Sequence, residues 1–374
     1  MSVISRALLD TRNDLAIYFP FRNGSVNPVL IGVRSRVNST GTNKTPIRPE
    51  LWDEFFKGSR LACAKLISAV ENHPAAIPKI RDRLFPRQKG AIRIGVTGPP
   101  GVGKSTVTAA LARRAARKNH CVGVIAVDPT SPFTGGAFLG DRVRMQSLVG
   151  DPRIFIRSLA SRDGHGGLSP STPYVADIFD AFGMDRIFIE TVGVGQAELD
   201  VLTCVDLVLL VLQPGTGDVI QALKAGIIEV ADIFLINKSD LAGTENLLDS
   251  LRFLFDISSG RGAKASPPIL TASALHNKGL DDVYAEIERR IEGLVQSGEW
   301  LEKKRARLEH EIRESIRQDL WERFLSLTHA QEDIRSASEF LIQNGRSPYP
   351  TIRELSSKVT MELSNERAIR ENDE

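Results

Sequence analysis

The sequence predicts an α/β protein built on a doubly wound, mainly parallel sheet, with a helical segment before the sheet and a helical arm after it. Short β-branched runs alternate with helical stretches over residues 91–296. Apolar residues at helical spacing precede this region, and a strongly charged helical pattern occupies residues 297–374. Near-continuous apolar strands separated by helices are what a parallel sheet covered on both faces requires.

The composition is that of an ordinary globular protein. Of 374 residues, 42% are hydrophobic and 25% are charged, which argues against a disordered or collagen-like chain. The formal net charge of +2 is too balanced for the broad basic field of a non-specific nucleic-acid-binding protein, so we expect no nucleic-acid partner. No apolar run approaches the length of a membrane span.

The cysteines indicate a reducing compartment. Cys63, Cys121 and Cys204 lie far apart, with neither a CxxC pair nor metal-ligand spacing. We therefore predict a cytoplasmic protein. The first 48 residues hold seven Arg or Lys and two acids, a bias faintly similar to a mitochondrial presequence, so the mitochondrial matrix is the alternative location.

The segments before the sheet differ in character. Residues 1–49 are rich in Asn, Ser, Thr and Gly with no sustained period, which predicts a flexible segment. Residues 50–90 predict a helical subdomain, from apolar positions at Leu51, Phe55, Leu61, Ala64, Leu66, Ile67 and Val70. Pro74, Pro78 and Pro86 predict short turns between this subdomain and Ala91, because residues preceding proline disfavour helix.

Seven strands are expected in the central domain, residues 91–296. The apolar runs that predict them are 92–96, 122–127, 154–156, 187–189, 207–212, 233–236 and 269–271.

A phosphate-binding loop follows the first of these strands. The pattern GxxxxGK[ST] occupies Gly98, Gly101, Val102, Gly103, Lys104, Ser105 and Thr106, before a helix expected near Thr106. Its glycines let backbone N–H groups wrap phosphate oxygens, and Lys104 would reach the β- and γ-phosphates. Ser105 can ligate Mg²⁺. This motif, between strand and helix, predicts a P-loop NTPase.

The base is predicted to be guanine. Asn237, Lys238 and Asp240 follow the sixth strand in an NKxD pattern. The Asp240 carboxylate would accept hydrogen bonds from guanine N1 and N2, which adenine cannot offer. Asn237 would support the loop and contact the base, while the Lys238 stem packs across it.

A second loop is predicted to back the same base. It follows the seventh strand and comprises Ser273, Ala274 and Leu275. The two loops together favour GTP over ATP.

Acidic residues after other strands predict metal and phosphate chemistry. Glu190 stands where a Walker B acid belongs, and the Gly193 N–H would register the γ-phosphate. Asp128 and Asp141 are positioned to organise metal or water, although either would also suit a helix cap or a solvated turn.

Several segments together resemble one family. VDPTSPFTGG at 127–136 and ETVGVGQ at 190–196 are the most specific, joined by segments 140–142, 214–218 and 224–226. They resemble the MeaB/ArgK-type GTPases, chaperones of adenosylcobalamin-dependent methylmalonyl-CoA mutase and its acyl-CoA mutase relatives. The resemblance is close over residues 61–295.

The resemblance implies a SIMIBI-type G domain and a homodimer. Its nucleotide contacts fall on Lys104, Ser105, Asn237, Asp240 and Ala274. Its magnesium network falls on Ser105, Asp128, Asp141 and Glu190.

The resemblance also implies a mobile loop from about 213 to 224, in which Asp218 and Lys224 respond to nucleotide. A cation at Lys224 would stabilise charge developing in phosphoryl transfer, so we count it with Lys104, Asp141, Glu190 and Gly193 as catalytic. The alternative for Lys224 is a solvated helix lysine. Gln196 lies three residues beyond Gly193, which predicts slow intrinsic hydrolysis accelerated by a partner.

Two segments depart from the family pattern. Residues 162–168 stand where relatives often have RGxLGGL, and residues 218–221 stand where they often have DELQ. Both segments are expected to touch or relay to the partner, so nucleotide binding is unaffected while the mutase served is left open.

The C-terminal arm carries one apolar stripe. Its residues are spaced by four along a charged background: Leu308, Ile312, Ile316, Leu320 and Phe324. Such a stripe packs either on the chain's own core or on a second subunit.

The sequence therefore predicts a Mg²⁺-dependent GTPase that gates loading of adenosylcobalamin into an acyl-CoA mutase and removal of damaged cofactor. Its expected partners are that mutase and a second copy of the chain. Two alternatives remain: a transport-associated protein kinase of the LAO/AO type, and a nucleotide-dependent scaffold.

Overall fold

A computed structural model of the chain describes residues 7–9, 15–17, 29–31, 47–129, 145, 148, 150–161, 169–191, 203–215, 227–259, 266–326 and 330–358. The chain divides into two compact units, Met1–Ile291 and Glu292–Glu374.

Three short strands open the first unit. β1 (Ala7–Leu9), β2 (Leu15–Ile17) and β3 (Val29–Ile31) form an antiparallel sheet in that order. These strands could not be predicted from the sequence, because three-residue apolar runs are too short to show a period.

A helical segment comes next. It consists of α1 (Pro49–Phe56), α2 (Arg60–Asn72) and α3 (Ile77–Leu84), with 3₁₀ turns at Pro74–Ala76 and Phe85–Arg87. The prediction of short turns before Ala91 was wrong for α3. Pro78 lies in the first turn of this helix, where its missing N–H removes no helical hydrogen bond.

Seven parallel strands form the central sheet of the first unit. They are β4 (Ile92–Thr97), β5 (Val122–Pro129), β6 (Ile154–Ser161), β7 (Arg186–Glu190), β8 (Leu207–Leu212), β9 (Ile233–Ile236) and β10 (Ile269–Thr271). Their order across the sheet is β10-β9-β8-β4-β7-β5-β6. All seven predicted strands are present, and the predicted α/β fold class is confirmed.

Three helices connect these strands: α4 (Lys104–Arg117), α5 (Thr172–Phe182) and α6 (Thr244–Ser259). A further helix, α7 (Leu280–Ser297), follows β10. Residue Lys104 begins α4, two positions before the expected start at Thr106. Every residue of β4, β8 and β9 is buried, as expected for central strands covered on both faces.

The helical segment shares its core with the sheet. The Phe55 ring of α1 lies 5.2 Å from the Phe182 ring of α5, and the Phe155 ring of β6 lies 5.3 Å from that of Phe179. Three of these rings belong to one continuous cluster of buried side chains that runs from α1 to α6, and the partly buried Phe182 ring packs against it. The segment thus packs on the α5 side of the sheet.

A buried carboxylate adds polar contacts between the same elements. Asp177 on α5 accepts hydrogen bonds from Arg81 of α3 at 3.1 Å, Gln88 at 2.8 Å and Arg93 of β4 at 2.7 Å. Asp206, just before β8, accepts from the Arg93 backbone N–H at 2.8 Å. Arg93 and Asp177 are both buried, so each charge depends on the other for compensation.

The second unit is helical. It contains α8 (Glu299–Ser326), α9 (Ala330–Asn344) and a helical stretch at 349–358. Phe324 packs with Ala330, Ile334 and Leu355 in a small cluster. Ile312 and Ile316 of the predicted stripe are 58% and 56% exposed within the single chain.

Across the described ranges, no helix combines the length and apolar character needed to cross a membrane.

Candidate functional site

The predicted motifs follow strands whose carboxyl ends share one edge of the sheet. Val96 of β4 lies opposite Glu190 of β7, and Ile236 of β9 lies opposite Thr271 of β10. In open parallel sheets, ligands bind at this edge, where the strand order changes direction. Here the change is at β4, which has β8 on one side and β7 on the other.

The loop after β4 requires glycine at two positions. A Cβ atom on Gly98 would lie 2.0 Å from the Val211 carbonyl oxygen of β8, so only glycine permits this close approach of two backbones. Gly103 has a φ of +94°, and a Cβ there would lie 2.6 Å from Nδ2 of Asn237. It directly precedes α4, whose N-terminus therefore opens onto the loop.

Lys104 fills the interior of this loop. Its ammonium donates hydrogen bonds to the carbonyl oxygens of Gly98 at 2.7 Å and Pro99 at 3.0 Å. The side chain is buried, so the charge stays inside the loop instead of extending into solvent. A buried cation next to a helix N-terminus makes this a strongly anion-attracting position.

Ser105 and Glu190 meet beside the loop. The Ser105 hydroxyl of α4 donates to Oε1 of Glu190, the last residue of β7, at 2.5 Å, and both residues are buried. Thr191 donates to Thr97 at 3.1 Å, which links the ends of β7 and β4. A hydroxyl and a carboxylate are the hard oxygen ligands that Mg²⁺ prefers, so the residues present fit a magnesium ion.

Asn237 connects the phosphate loop to the two loops predicted to hold the base. Its Nδ2 donates to the Val102 carbonyl oxygen at 2.8 Å, and its Oδ1 accepts from the Ala274 N–H at 3.0 Å. Lys238 makes a parallel connection, because its ammonium donates to the Gly101 carbonyl oxygen at 2.8 Å. The Asn237 side chain therefore holds these loops together.

Asp240 presents an oriented carboxylate. The Ser273 hydroxyl donates to Oδ1 of Asp240, and His276 Nε2 lies 3.9 Å from Oδ2. The hydrogen bond from Ser273 is the main cause that lowers the pKa of Asp240, so the group is an ionised acceptor at neutral pH. Leu275, 82% exposed, offers an apolar surface in the same loop.

Several predicted site residues lie outside the described residues: Asp141, Gly193, Asp218 and Lys224. Asp128 lies within β5, but its side chain is not among those described. Their roles stay predictions. Within the described part of the chain, no group of three or more His, Cys, Asp or Glu gathers as a metal cluster.

No motif in the sequence pointed to Arg114. This residue of α4 has a side chain only 7% exposed, and it donates to Asp281 Oδ1 at 2.7 Å and Asn277 Oδ1 at 3.0 Å. The sequence feature that could have identified it is its helical spacing from Val107 and Leu111, which places an arginine on the buried face of α4.

The sequence matches a family model described as methylmalonyl-CoA mutase-associated GTPase MeaB over residues 63–329. The GTPase ArgK of Escherichia coli (strain K12) is 34% identical over 312 residues, which cover 80% of this chain and 93% of ArgK. A protein of Pyrococcus abyssi is 45% identical over 266 residues, covering 71% of this chain and 82% of that protein. The mitochondrial methylmalonic aciduria type A homolog of Mus musculus is 29% identical over 315 residues, covering 80% and 76%.

A solved structure shares the fold. The crystal structure of an LAO/AO transport system kinase superposes with a TM-score of 0.63 at 25% sequence identity, covering 83% of this chain and 97% of that one. The match extends over most of both chains and agrees with the predicted P-loop architecture.

Proposed function

The chain belongs to the MeaB family of methylmalonyl-CoA mutase-associated GTPases, and from this premise we propose that it gates adenosylcobalamin loading and protection of an acyl-CoA mutase. As a member of this family it binds guanine nucleotide and hydrolyses GTP. The proposal concerns the partner, the metal and the roles of individual residues. The observation that carries it is the family match over residues 63–329.

For phosphate binding, we assign the central role to Lys104. Its ammonium is already buried in the loop and would exchange the carbonyl oxygens of Gly98 and Pro99 for β- and γ-phosphate oxygens. The backbone of residues 98–106 and the N-terminus of α4 would supply the remaining donors.

For base recognition, we assign the selecting role to Asp240. Its ionised carboxylate would accept from guanine N1 and N2, with Ser273 holding it in place. Leu275 and the Lys238 stem would cover the faces of the base. Asn237 and Ala274 would support the loop through the contact that joins them.

For the metal, we assign Ser105 and Glu190 as the described part of a site completed by Asp128 and Asp141. When bound, Mg²⁺ would neutralise charge on the phosphate oxygens. The chain's own contribution is position: Glu190 orients the Ser105 hydroxyl, and Lys104 places a second cation on the phosphates. Lys224 and the Gly193 N–H would complete the catalytic set as a loop responds to the γ-phosphate.

We further propose that the chain is organised as an N-terminal segment (1–49), a helical segment (50–90), a GTPase domain (91–296) and a C-terminal arm (297–374). The arm is proposed to form a homodimer. The support is the exposed stripe of α8, where Ile312, Ile316 and Leu320 face solvent in the single chain. Exposed apolar side chains in a row along a long helix are typical of a subunit contact.

A cofactor-transfer assay tests the proposed function. Adenosylcobalamin bound to its adenosyltransferase is mixed with apo-methylmalonyl-CoA mutase, and transfer is followed by absorbance with this protein and GTP, GDP or a non-hydrolysable analogue. We expect transfer to depend on the nucleotide and to be lost with Lys104→Ala. Transfer that is the same with every nucleotide, and without this protein, would contradict the proposal.

The kinase alternative is kept because the superposed structure carries the name LAO/AO transport system kinase. It requires a protein side chain, in place of water, to accept the γ-phosphate. GTP labelled at the γ-phosphate distinguishes the two: label on a partner protein supports the kinase, and label only in free phosphate supports hydrolysis.

A further inference from the structure

Arg114 links the helix of the phosphate loop to the region of the guanine loop. It lies on α4, ten residues after Lys104, and its guanidinium makes three contacts outside that helix. Nε donates to Asp281 Oδ1 at 2.7 Å, while Nη2 donates to Asn277 Oδ1 at 3.0 Å and to Asp281 Oδ2 at 3.3 Å. The planar, permanently charged guanidinium suits this forked arrangement.

Asn277 lies in a tight turn that begins at Ser273. Ser273 and Lys278 each donate a backbone N–H to the other's carbonyl oxygen, both at 3.1 Å, and so close the turn. Asn277 has a φ of +54°, in the narrow left-handed region, so the backbone at this residue has little conformational freedom. Fixing the Asn277 side chain therefore fixes the turn.

The same turn orients the base-selecting carboxylate. Ser273, at its start, donates its hydroxyl to Asp240, and Ala274 donates its N–H to Asn237. A series of links thus runs from Arg114 to Asn277, along the chain to Lys278, across the backbone pair to Ser273 and on to Asp240.

We propose that Arg114 is a positioning residue for guanine selectivity. By holding the 273–278 turn against α4, it fixes the direction in which Asp240 meets the base and couples the base loop to the helix that carries Lys104. This inference rests on the proposed contact between Asp240 and guanine.

The test compares GDP with IDP, which lacks the 2-amino group that Asp240 would accept from. Dissociation constants are measured by calorimetry for the full chain and for Arg114→Lys, which keeps the charge but loses the fork. We expect GDP binding to weaken about tenfold, the factor of one net hydrogen bond. IDP binding should weaken less, so the GDP-over-IDP ratio falls.

Asn277→Gly is the second variant. It removes the amide that accepts from Arg114, and glycine adopts a φ of +54° without strain. We expect the same fall in the ratio, with inorganic tripolyphosphate binding unchanged because the phosphate loop is intact.

Arg186→Met is the matched control. Arg186 of β7 donates two hydrogen bonds to Glu288 of α7, at 3.0 and 2.7 Å. It therefore anchors the same helix as Arg114 does, but it contacts no residue of the 273–278 turn. This variant should lower the melting temperature and keep the nucleotide ratio.

Two outcomes would overturn the inference. If the parent prefers GDP and both Arg114→Lys and Asn277→Gly keep that preference, Arg114 is only a structural contact, while the Asp240 assignment stands. If the parent itself binds GDP and IDP equally, the proposed contact between Asp240 and the 2-amino group fails, and the inference fails with it.

Discussion

Lys104 is the side chain on which phosphate binding should depend most. Lys104→Ala removes the only buried cation described inside the loop after β4, where it now contacts Gly98 and Pro99. We expect GTP affinity and turnover to fall together by about 10²-fold or more, the usual effect of losing one preorganised donor at developing charge. Fluorescent-nucleotide binding and phosphate release measure the two quantities, and normal turnover in this variant would contradict the assignment.

Alanine variants at two glycines of the same loop distinguish the cost of a strained backbone from the cost of a steric clash. Gly101 and Gly103 both have positive φ, but a Cβ on Gly101 meets nothing within 4 Å, whereas one on Gly103 meets Asn237. Each alanine variant should lose about 1 kcal/mol of stability from the left-handed backbone. Gly103→Ala should lose more, because Asn237 must move from Val102 and Ala274.

Thermal unfolding of the nucleotide-free protein measures both glycine variants. Equal melting temperatures for the two would contradict the close packing of Gly103 against Asn237.

At this scale, short local motifs in the sequence were enough to identify candidate site residues. Lys104, Ser105, Asn237 and Asp240 belong to short motifs, and the structure brings the loops that carry them together. Arg114 escaped prediction because its main partner, Asp281, lies 167 residues further along the chain. A contact at that separation is set by the fold and has no local pattern.

Among the elements, Asp177 joins α5, α3 and β4. Asp177→Ala leaves the buried Arg93 guanidinium without its carboxylate, and removing one partner of a buried pair costs about 3–5 kcal/mol. Asp151→Ala is the control, because its pair with Arg153 is partly exposed and worth at most about 1 kcal/mol. Urea unfolding compares them, and a similar small loss in both would contradict the buried network.

The pair between α7 and β7 predicts an acid-dependent loss of stability. Burial alone would raise the pKa of Glu288, but the hydrogen bonds and charge of Arg186 outweigh it and hold that pKa below its ordinary value of 4.5. A carboxyl group whose pKa is lower in the folded state than in the unfolded state stabilises the folded protein. This stabilisation is complete above the unfolded-state pKa and is lost as the pH falls through the folded-state pKa. Glu288→Gln should therefore be less stable than the parent at pH 7.

That difference should shrink as the pH falls below 4.5. Urea unfolding at a series of pH values checks this prediction. A difference between Glu288→Gln and the parent that stays constant from pH 7 to acid would contradict it.

The strands of the central sheet could be predicted because buried parallel strands are apolar on both faces and stand out as short runs. β8, β9 and β10 have the predicted bounds. Helix α3 could not be predicted by the same reasoning, because prolines that break a helix interior also suit its first turn. β1 to β3 were too short to show alternation.

For the whole molecule, the exposed stripe of α8 predicts a dimer. The double variant Ile312→Glu, Ile316→Glu introduces two charges at positions that are exposed in the single chain, so each unit should still fold. The particle mass measured by light scattering should fall by half. Ala306→Glu adds a charge at an exposed position of α8 away from the stripe and should leave the mass unchanged. An unchanged mass in the double variant would exclude this stripe as the subunit contact.

The most direct test of the account is steady-state phosphate release from GTP and from ATP with Mg²⁺, with and without a methylmalonyl-CoA-type mutase. We predict slow release from GTP alone, little from ATP, and a marked acceleration of GTP turnover when the mutase is added, because we propose that the bound partner completes the positioning of the attacking water. Turnover of GTP that is indifferent to the mutase, or equal turnover of ATP, would contradict the account.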